Sequence, residues 1–256
     1  MSGAIDYSLI ADLYDSYVRT ERDIPFFLQE ASQVSGEILE LMSGTGRVSI
    51  PLIKARVRLT CVDSSPEMLE ILRKKLEASG LEADVHLADV RELNLGRKFE
   101  LIFIPFHAFA ELISPLDQRR TLQAIHQHLS DEGTFICTLH NPSVRLKRVD
   151  GQLHLLAAFP LRERPGKLLV WNLESYDQKR AMVDGVQLFE EYDEKGLMRA
   201  RRLVDIHFRI IQKQEFENLA RASGFGVISL IGDYSCSPFR ESDSPFMIWK
   251  LQKNPC

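Results

Sequence analysis

From residue 36 onward the chain repeats one theme: a short apolar run, then a segment whose apolar positions recur every three or four residues. GEILELM precedes RVSIPLIKA, and VRLTCVD precedes SPEMLEILRKKLEASG. ADVHLAD, FELIFIPF, the helical DQRRTLQAIHQHLSDEG and TFICTLH follow. Most of the strand-like runs are apolar throughout rather than alternating, which is the pattern of parallel strands covered on both faces. The helix in SPEMLEILRKKLEASG begins either with a capping pair, Ser64 and Glu67, or at Ser65 with Pro66 as its first residue. Met68, Leu72 and Leu76 form its buried stripe, and Gly80 ends it. Upstream, Tyr7, Ala11, Tyr14 and Val18 share one helical face, suited either to packing on the sheet or to covering a site.

After TFICTLH the period changes. LLVWNLESYD, AMVDGVQLFEEYD and LMRARRLVDIHFRI alternate, with turn signals at Asp184-Gly185 and Glu194-Lys195-Gly196. They predict an antiparallel β cap over residues 142–210, inserted into an α/β domain formed by residues 1–141 and 211–256. The α/β pattern resumes in KQEFENLARASGF, GVISLIGDY and PFMIWKLQ, so the main sheet should hold seven strands, mostly parallel, with helices on both faces.

Composition narrows the partners. The chain of 256 residues has a formal net charge of −4, and nothing in it advertises nucleic acid or an anionic membrane. Its best basic cluster, Arg199, Arg201 and Arg202, alternates with Met198, Ala200 and Leu203 and reads as the wet face of a strand. Cys61, Cys137, Cys236 and Cys256 lack CxxC spacing, which argues for a reducing compartment and against a zinc site; no metal is expected. The opening residues have no basic region before an apolar one, so a signal peptide is not expected. No apolar run approaches the ~20 residues of a membrane span, and a cytoplasmic location is the expectation.

The candidate chemistry sits in Ser43-Gly44-Thr45-Gly46, at the end of the first strand. A phosphate-cradling loop would need a lysine after Gly46, and a dinucleotide fingerprint would need glycine where Ser49 stands. Acids occur instead: Glu40 before the loop, Asp63 ending the next strand, and Asp89 ending the one after. Carboxylates at successive strand ends line the crevice where open α/β sheets bind ligands, and they suit a nucleoside with an amino group and no pyrophosphate.

ILELMSGTGRVSIPL, LTCVDSSPEML and HLADVREL…FELIFIPFHAFAEL resemble, in order and spacing, the successive motifs of class I S-adenosylmethionine-dependent methyltransferases. ASGFGVISLIGDY…SPFMIWKLQ is similar to that family's closing helix and antiparallel strand pair. Met42 departs from the family's frequent Gly or Cys. The resemblance implies a Rossmann-like fold, S-adenosyl-L-methionine as cofactor and S-adenosyl-L-homocysteine as product. It also implies roles: Glu40, Ser43, Gly44 and Gly46 at the methionine end, Asp63 on the ribose hydroxyls, and Ser64 and Met68 near the adenine. Ala88, Asp89 and Val90 would frame the adenine, with Asp89 accepting from its amine. Tyr14 resembles the family's N-terminal YD tyrosine, which closes over the methionine tail, and Pro105 would line the same pocket.

Ile104 to Phe109 would face the reacting methyl. The stretch lacks the [DN]PP[YF] of enzymes that methylate amino groups in nucleic acid, and it lacks the acids of magnesium-dependent catechol-type enzymes. His107 is its one titratable side chain, either a general base or a pocket wall. Glu111 and His140 rank below it; His126 and His128 read as surface residues, and His207 as structural. The insertion resembles the cap of small-molecule N-methyltransferases acting on nucleotide-linked amino sugars, which covers the substrate and can build a homodimer. Trp171, Tyr176, Phe189 and Tyr192 could line a pocket from that cap. Methyl transfer to a small-molecule acceptor, nitrogen before oxygen, is the leading reading. A non-catalytic adenosylmethionine-binding module would keep the same loop and acids; a nicotinamide-dependent oxidoreductase is disfavoured by Ser49.

Overall fold

The computed structural model describes residues 5–162 and 164–254; Cys256 lies outside them. Helices α1 (Ala11–Tyr17) and α2 (Ile24–Ser32) precede β1 (Ile38–Leu41), α3 (Ser49–Lys54), β2 (Leu59–Asp63), α4 (Pro66–Ala78) and β3 (Asp84–Leu87). Strand β4 (Phe99–Ile104), α5 (Pro115–His128), β5 (Leu129–His140) and the short α6 (Pro142–Arg145) follow. Four strands come next: β6 (Leu153–Pro160), β7 (Lys167–Asp177), β8 (Met182–Tyr192) and β9 (Met198–Arg209). Then come α7 (Lys213–Ala222), β10 (Phe225–Ile231) and β11 (Phe246–Lys253).

The main sheet has seven strands in the order β10-β11-β5-β4-β1-β2-β3, and β6 to β9 form a separate four-stranded sheet. Strands β3, β2, β1, β4 and β5 pair in parallel, while β11 runs antiparallel between β5 and β10. This is the expected Rossmann-like architecture with an antiparallel addition. Because β1 lies between β2 and β4, the strand order reverses there, and the carboxyl ends of these strands open onto one crevice.

Two apolar layers hold the sheet in place. On one face Phe27 stacks on Phe103 at 4.6 Å, among Leu52, Leu69 and Leu72; on the other Phe135, Phe216 and Trp249 are buried together. Burial of each such side chain is worth about 1.5–3 kcal/mol. Helix α4 begins in the second of its two expected ways. Ser65 is the N-cap, its hydroxyl accepting from Met68 N at 3.3 Å, and Pro66 takes the first helical position.

Three sequence expectations change here. Asp184-Gly185 is not a turn: both residues lie inside β8, and the hairpin turn is formed by residues 178–181. There the Asp177 carboxylate accepts from Lys179 N and Arg180 N, and Ala181 adopts a positive φ. Gly185 serves close strand approach instead, since a Cβ there would meet the Leu173 carbonyl oxygen at 2.1 Å. The antiparallel sheet also has a first strand, β6, that the alternation did not announce. His128 is 4% exposed rather than on the surface. Its Nε2 accepts from Leu95 N at 2.9 Å, which leaves Nδ1 to donate to the Ala124 carbonyl at 2.7 Å.

The two faces of the four-stranded sheet differ. Leu168, Val170, Phe189 and Val204 on the inner face pack against Ile10, Leu13 and Tyr17, so α1 lies beneath the cap. The outer face carries a transverse row, Leu155, Trp171, Leu188 and Leu203, flanked by Leu153 and Leu173. Four of these leucines, at 153, 155, 173 and 203, are exposed. Trp171 and Tyr192 belong to this outer face, whereas Tyr176 shares the inner face with Phe189, whose ring lies 5.1 Å from that of Tyr17, and Phe159 packs on the same inner cluster.

Candidate active site

The loop after β1 owes its shape to two glycines. Gly44 and Gly46 have φ of +55° and +82°, values that other residues reach only with strain. At Gly46 a Cβ would meet Leu72 Cδ1 at 2.4 Å, so this glycine lets the loop rest on α4. At Gly44 the nearest atom to such a Cβ is Met68 Cε at 3.8 Å, and the residue lines an open cleft. The loop is pinned from behind: Lys75 Nζ donates to the Thr45 carbonyl at 2.7 Å, and Thr45 Oγ1 donates to Asp15 of α1 at 2.7 Å. Arg47 donates twice to Asp23, at 2.5 and 2.6 Å, and its guanidinium covers the Phe106 ring at 4.7 Å.

The cleft has a volume of about 520 Å³, within the range of small-ligand sites. Asp63 forms one wall. Its Oδ2 accepts from Gly44 N at 2.7 Å and its Oδ1 from Ser65 N at 2.9 Å, so both oxygens are fixed in place with lone pairs to spare. Burial pushes its carboxyl above the usual range against those two amides. Tyr7 and Tyr14, edge to face at 5.9 Å, form the opposite rim, and Tyr14 stacks on to Tyr17 in the same manner at 5.4 Å. Glu111 faces them and accepts from Tyr7 Oη at 2.8 Å. Burial, with Asp63 adding repulsion, lifts the Glu111 carboxyl to about 7.

Of the residues singled out from sequence, Tyr14, Gly44, Asp63, Ser64, Met68, Asp89, Val90 and Pro105 line this cleft together. Glu40, Ser43, Gly46, Ala88 and His107 are not among its lining residues. Glu40 is buried behind the loop, where its carboxylate accepts from Ser49 Oγ at 2.6 Å and burial raises its carboxyl to about 8. Ser49, the residue that breaks the dinucleotide fingerprint, therefore has its own task. Ala88 N donates to the Asp63 carbonyl, which ties the ends of β2 and β3 together. Asp89 caps a short turn through Arg91 N and is held by the Arg91 guanidinium, whose hydrogen bonds push its carboxyl down.

His107 stacks on His140 with ring centroids 3.6 Å apart and lies beside Phe246. Burial, reinforced by Arg145, drives its pKa down to about 3, so the ring is neutral at physiological pH. It and Phe106 both have positive φ, a strained pair that turns the chain from β4 over the cleft floor. His207 is paired with Asp184 at 2.7 Å, away from the cleft. Sequence reading missed Asp6, Arg91 and Asp117 as lining residues. Arg91 and Asp117 pair across the rim, and nothing in their spacing announces it.

The residues fit an adenosyl ligand. A cleft of this size has a glycine backbone at its floor and a fixed carboxylate beside it, and the Ser43 hydroxyl is buried without a hydrogen-bond partner among the described residues. Aromatic rings can exclude water from the rim, and the carboxylates favour a cation. No metal-binding cluster occurs among the described residues, and none of their helices is long and apolar enough to cross a membrane.

Comparison with known proteins follows the same line. Residues 38–133 match the family model described as a methyltransferase domain. The chain is 24% identical over 252 residues to a glycine/sarcosine N-methyltransferase of Halorhodospira halochloris, covering 94% of this chain and 83% of that protein. It is 25% identical over 140 residues to the dTDP-3-amino-3,6-dideoxy-alpha-D-glucopyranose N,N-dimethyltransferase of Streptomyces fradiae, about half of each chain (51% and 53%). The fold superimposes on an S-adenosylmethionine-dependent methyltransferase from Clostridium acetobutylicum with a TM-score of 0.82 at 18% identity, covering 97% of this chain and 99% of that one.

Proposed function

We propose that this chain is an S-adenosylmethionine-dependent methyltransferase, as the match of residues 38–133 to a methyltransferase domain supports, and that it methylates a nitrogen atom of a small-molecule acceptor. The observation that carries the reading is the cleft itself, which sets Asp63 and Glu111 around an open glycine loop, beneath an aromatic rim. Such a site favours a cationic, hydroxyl-bearing ligand and disfavours phosphate. Two sequence relatives whose names specify amine methylation support nitrogen as the acceptor.

When bound, S-adenosylmethionine supplies an electrophilic methyl group on a sulfonium. In our reading, Asp63 accepts from the ribose hydroxyls with oxygens already aimed by Gly44 N and Ser65 N. Gly44 admits the methionine end against the backbone, while Ser43 and Glu40 support that loop from behind. Met68 and Val90 pack against the base. Asp89 can accept from the adenine amine only by sharing its carboxylate with Arg91. Tyr14 and Tyr7 close the rim and exclude water, which strengthens every electrostatic contact inside. Pro105 and Phe106 form the floor. We assign His107, neutral and stacked on His140, to the support of that floor, because a base near pKa 3 cannot take a proton from an alkylammonium at neutral pH. The cap holds α1, and with it the tyrosine rim, over the cleft.

Methyl-labelled cofactor offered with glycine, sarcosine and nucleotide-linked amino sugars, each beside its hydroxyl counterpart, tests the reading. Label on nitrogen supports it; transfer to hydroxyl or carbon acceptors alone contradicts it.

We assign the outer cap face to a second copy of this chain. A two-fold contact would cover the Leu155–Trp171–Leu188–Leu203 row with itself, whereas in one copy several of these side chains face water. Sedimentation should give a dimer, and Leu203→Lys a monomer that keeps cofactor affinity. A monomeric wild type contradicts the assignment.

A further inference from the structure

Glu111 has no part in holding the cofactor in the account above, yet it lies within the same cleft. It ends the short turn Ala108–Glu111 after β4, and Tyr7 reaches it from 104 positions upstream. The titratable groups facing it are Tyr7, Tyr14 and Tyr17 from the N-terminal segment and Asp63 from β2. Among the described residues it forms no ion pair with lysine or arginine, unlike Asp23, Glu174 and Glu190. A half-buried carboxylate whose one hydrogen-bond donor among the described residues is a tyrosine is a poor structural element and a good receptor for a cation brought by a ligand.

We infer that Glu111 receives the methyl acceptor as an alkylammonium ion and accepts the proton that nitrogen must lose before it attacks, so the acceptor is an aliphatic amine rather than an amide, an aromatic amine or an alcohol. The inference rests on the nitrogen-methylation reading and extends it to a substrate class and a residue. The ammonium N–H proton passes to a Glu111 oxygen, and the freed lone pair forms the N–C bond. The C–S bond breaks with its electron pair left on sulfur, which becomes a neutral thioether. The methylated nitrogen carries the positive charge and departs as an ammonium ion, and Glu111 returns its proton to water. Tyr7, donating to Glu111 Oε1, fixes the direction of the carboxylate and leaves Oε2 for the acceptor.

The sign of the pH dependence follows. With its carboxyl lifted to about 7, Glu111 is ionised above that pH and protonated below it. Attraction for an ammonium probe therefore weakens as pH falls through about 7, although the amine stays charged there.

The test needs no knowledge of the natural acceptor. Protein saturated with S-adenosylhomocysteine is titrated with cyclohexylammonium and with cyclohexanol, by ligand-observed NMR, as wild type and Glu111→Gln. The ammonium should bind about tenfold more tightly than the alcohol in the wild type, and Glu111→Gln should abolish that preference. Lowering the pH from about 8 to about 6 should erode the preference in the wild type and leave Glu111→Gln unchanged. Affinity for S-adenosylhomocysteine should stay within about threefold in Glu111→Gln, which also reports that it folds. A preference that is absent, or that survives in Glu111→Gln, overturns the inference while leaving the cofactor site standing. A large loss of S-adenosylhomocysteine affinity in Glu111→Gln would assign the carboxylate to the ammonium of the cofactor and overturn it too. Failure of the wild type to bind S-adenosylhomocysteine would remove the underlying reading as well.

Discussion

Asp63→Ala is expected to raise the dissociation constant for S-adenosylmethionine by about 10²–10⁴-fold. Two hydrogen bonds to a charged acceptor, each worth about 1.5–3 kcal/mol, are lost together. The same carboxylate orders the site before any ligand arrives, since it holds Gly44 N and Ser65 N. Its removal therefore loosens the glycine loop and the start of α4 as well as the ribose contact. Asp63→Asn separates the two effects: it keeps one carbonyl oxygen for a backbone amide but loses the charge, and should weaken binding by about tenfold. Calorimetry on both variants checks this. Unchanged affinity in the alanine variant would mean that the cofactor lies elsewhere.

The second large effect concerns the two loop glycines, which should fail in different ways. Gly46→Ala puts a methyl group 2.4 Å from Leu72 Cδ1 and holds a non-glycine residue at φ +82°. The left-handed backbone costs about 1–2 kcal/mol and the overpacking about 1–3 kcal/mol, so a loss of about 2–5 kcal/mol is expected. At about 2–4 °C per kcal/mol, the melting temperature should fall by about 4–20 °C. Gly44→Ala meets no such neighbour and should lose only the backbone share, about 1–2 kcal/mol. Its methyl group instead occupies the cleft floor, so cofactor affinity should drop by about tenfold or more. Thermal unfolding and cofactor titration on the pair read the contrast. Equal cofactor affinity in Gly44→Ala and wild type would show that no ligand approaches that backbone.

Much of this architecture could be read from the chain because its signals are local. Largely apolar runs such as Ile38–Leu41 and Phe99–Ile104, each broken by one glutamate, are what a doubly covered parallel sheet requires, and the acids mark strand ends. The Ser43–Gly46 loop and Asp63 are close in sequence, so their meeting follows from one β-α-β unit. What stayed hidden depends on distant contacts. Strand β6 carries leucines that face outward, at 50% exposure for Leu153, and so breaks the alternation by which half-buried strands are recognised. Asp184-Gly185 has the composition of a turn, but the glycine answers a crowded strand pair visible only once β7 and β8 are aligned. His107 is the histidine that the stretch after β4 offers, and its burial against His140 requires β4 and β5 side by side. Glu111 gains its environment from Tyr7, a partner that reaches it only when the N-terminal segment folds back under the cap.

If the cleft at the carboxyl ends of β1, β2 and β4 holds the adenosyl group, a crystal structure of the S-adenosylhomocysteine complex will show it there. The ligand is expected in the 520 Å³ cleft, its ribose hydroxyls on Asp63 and its homocysteine end against Gly44. Density for the ligand anywhere else, with this cleft filled only by water, would contradict it.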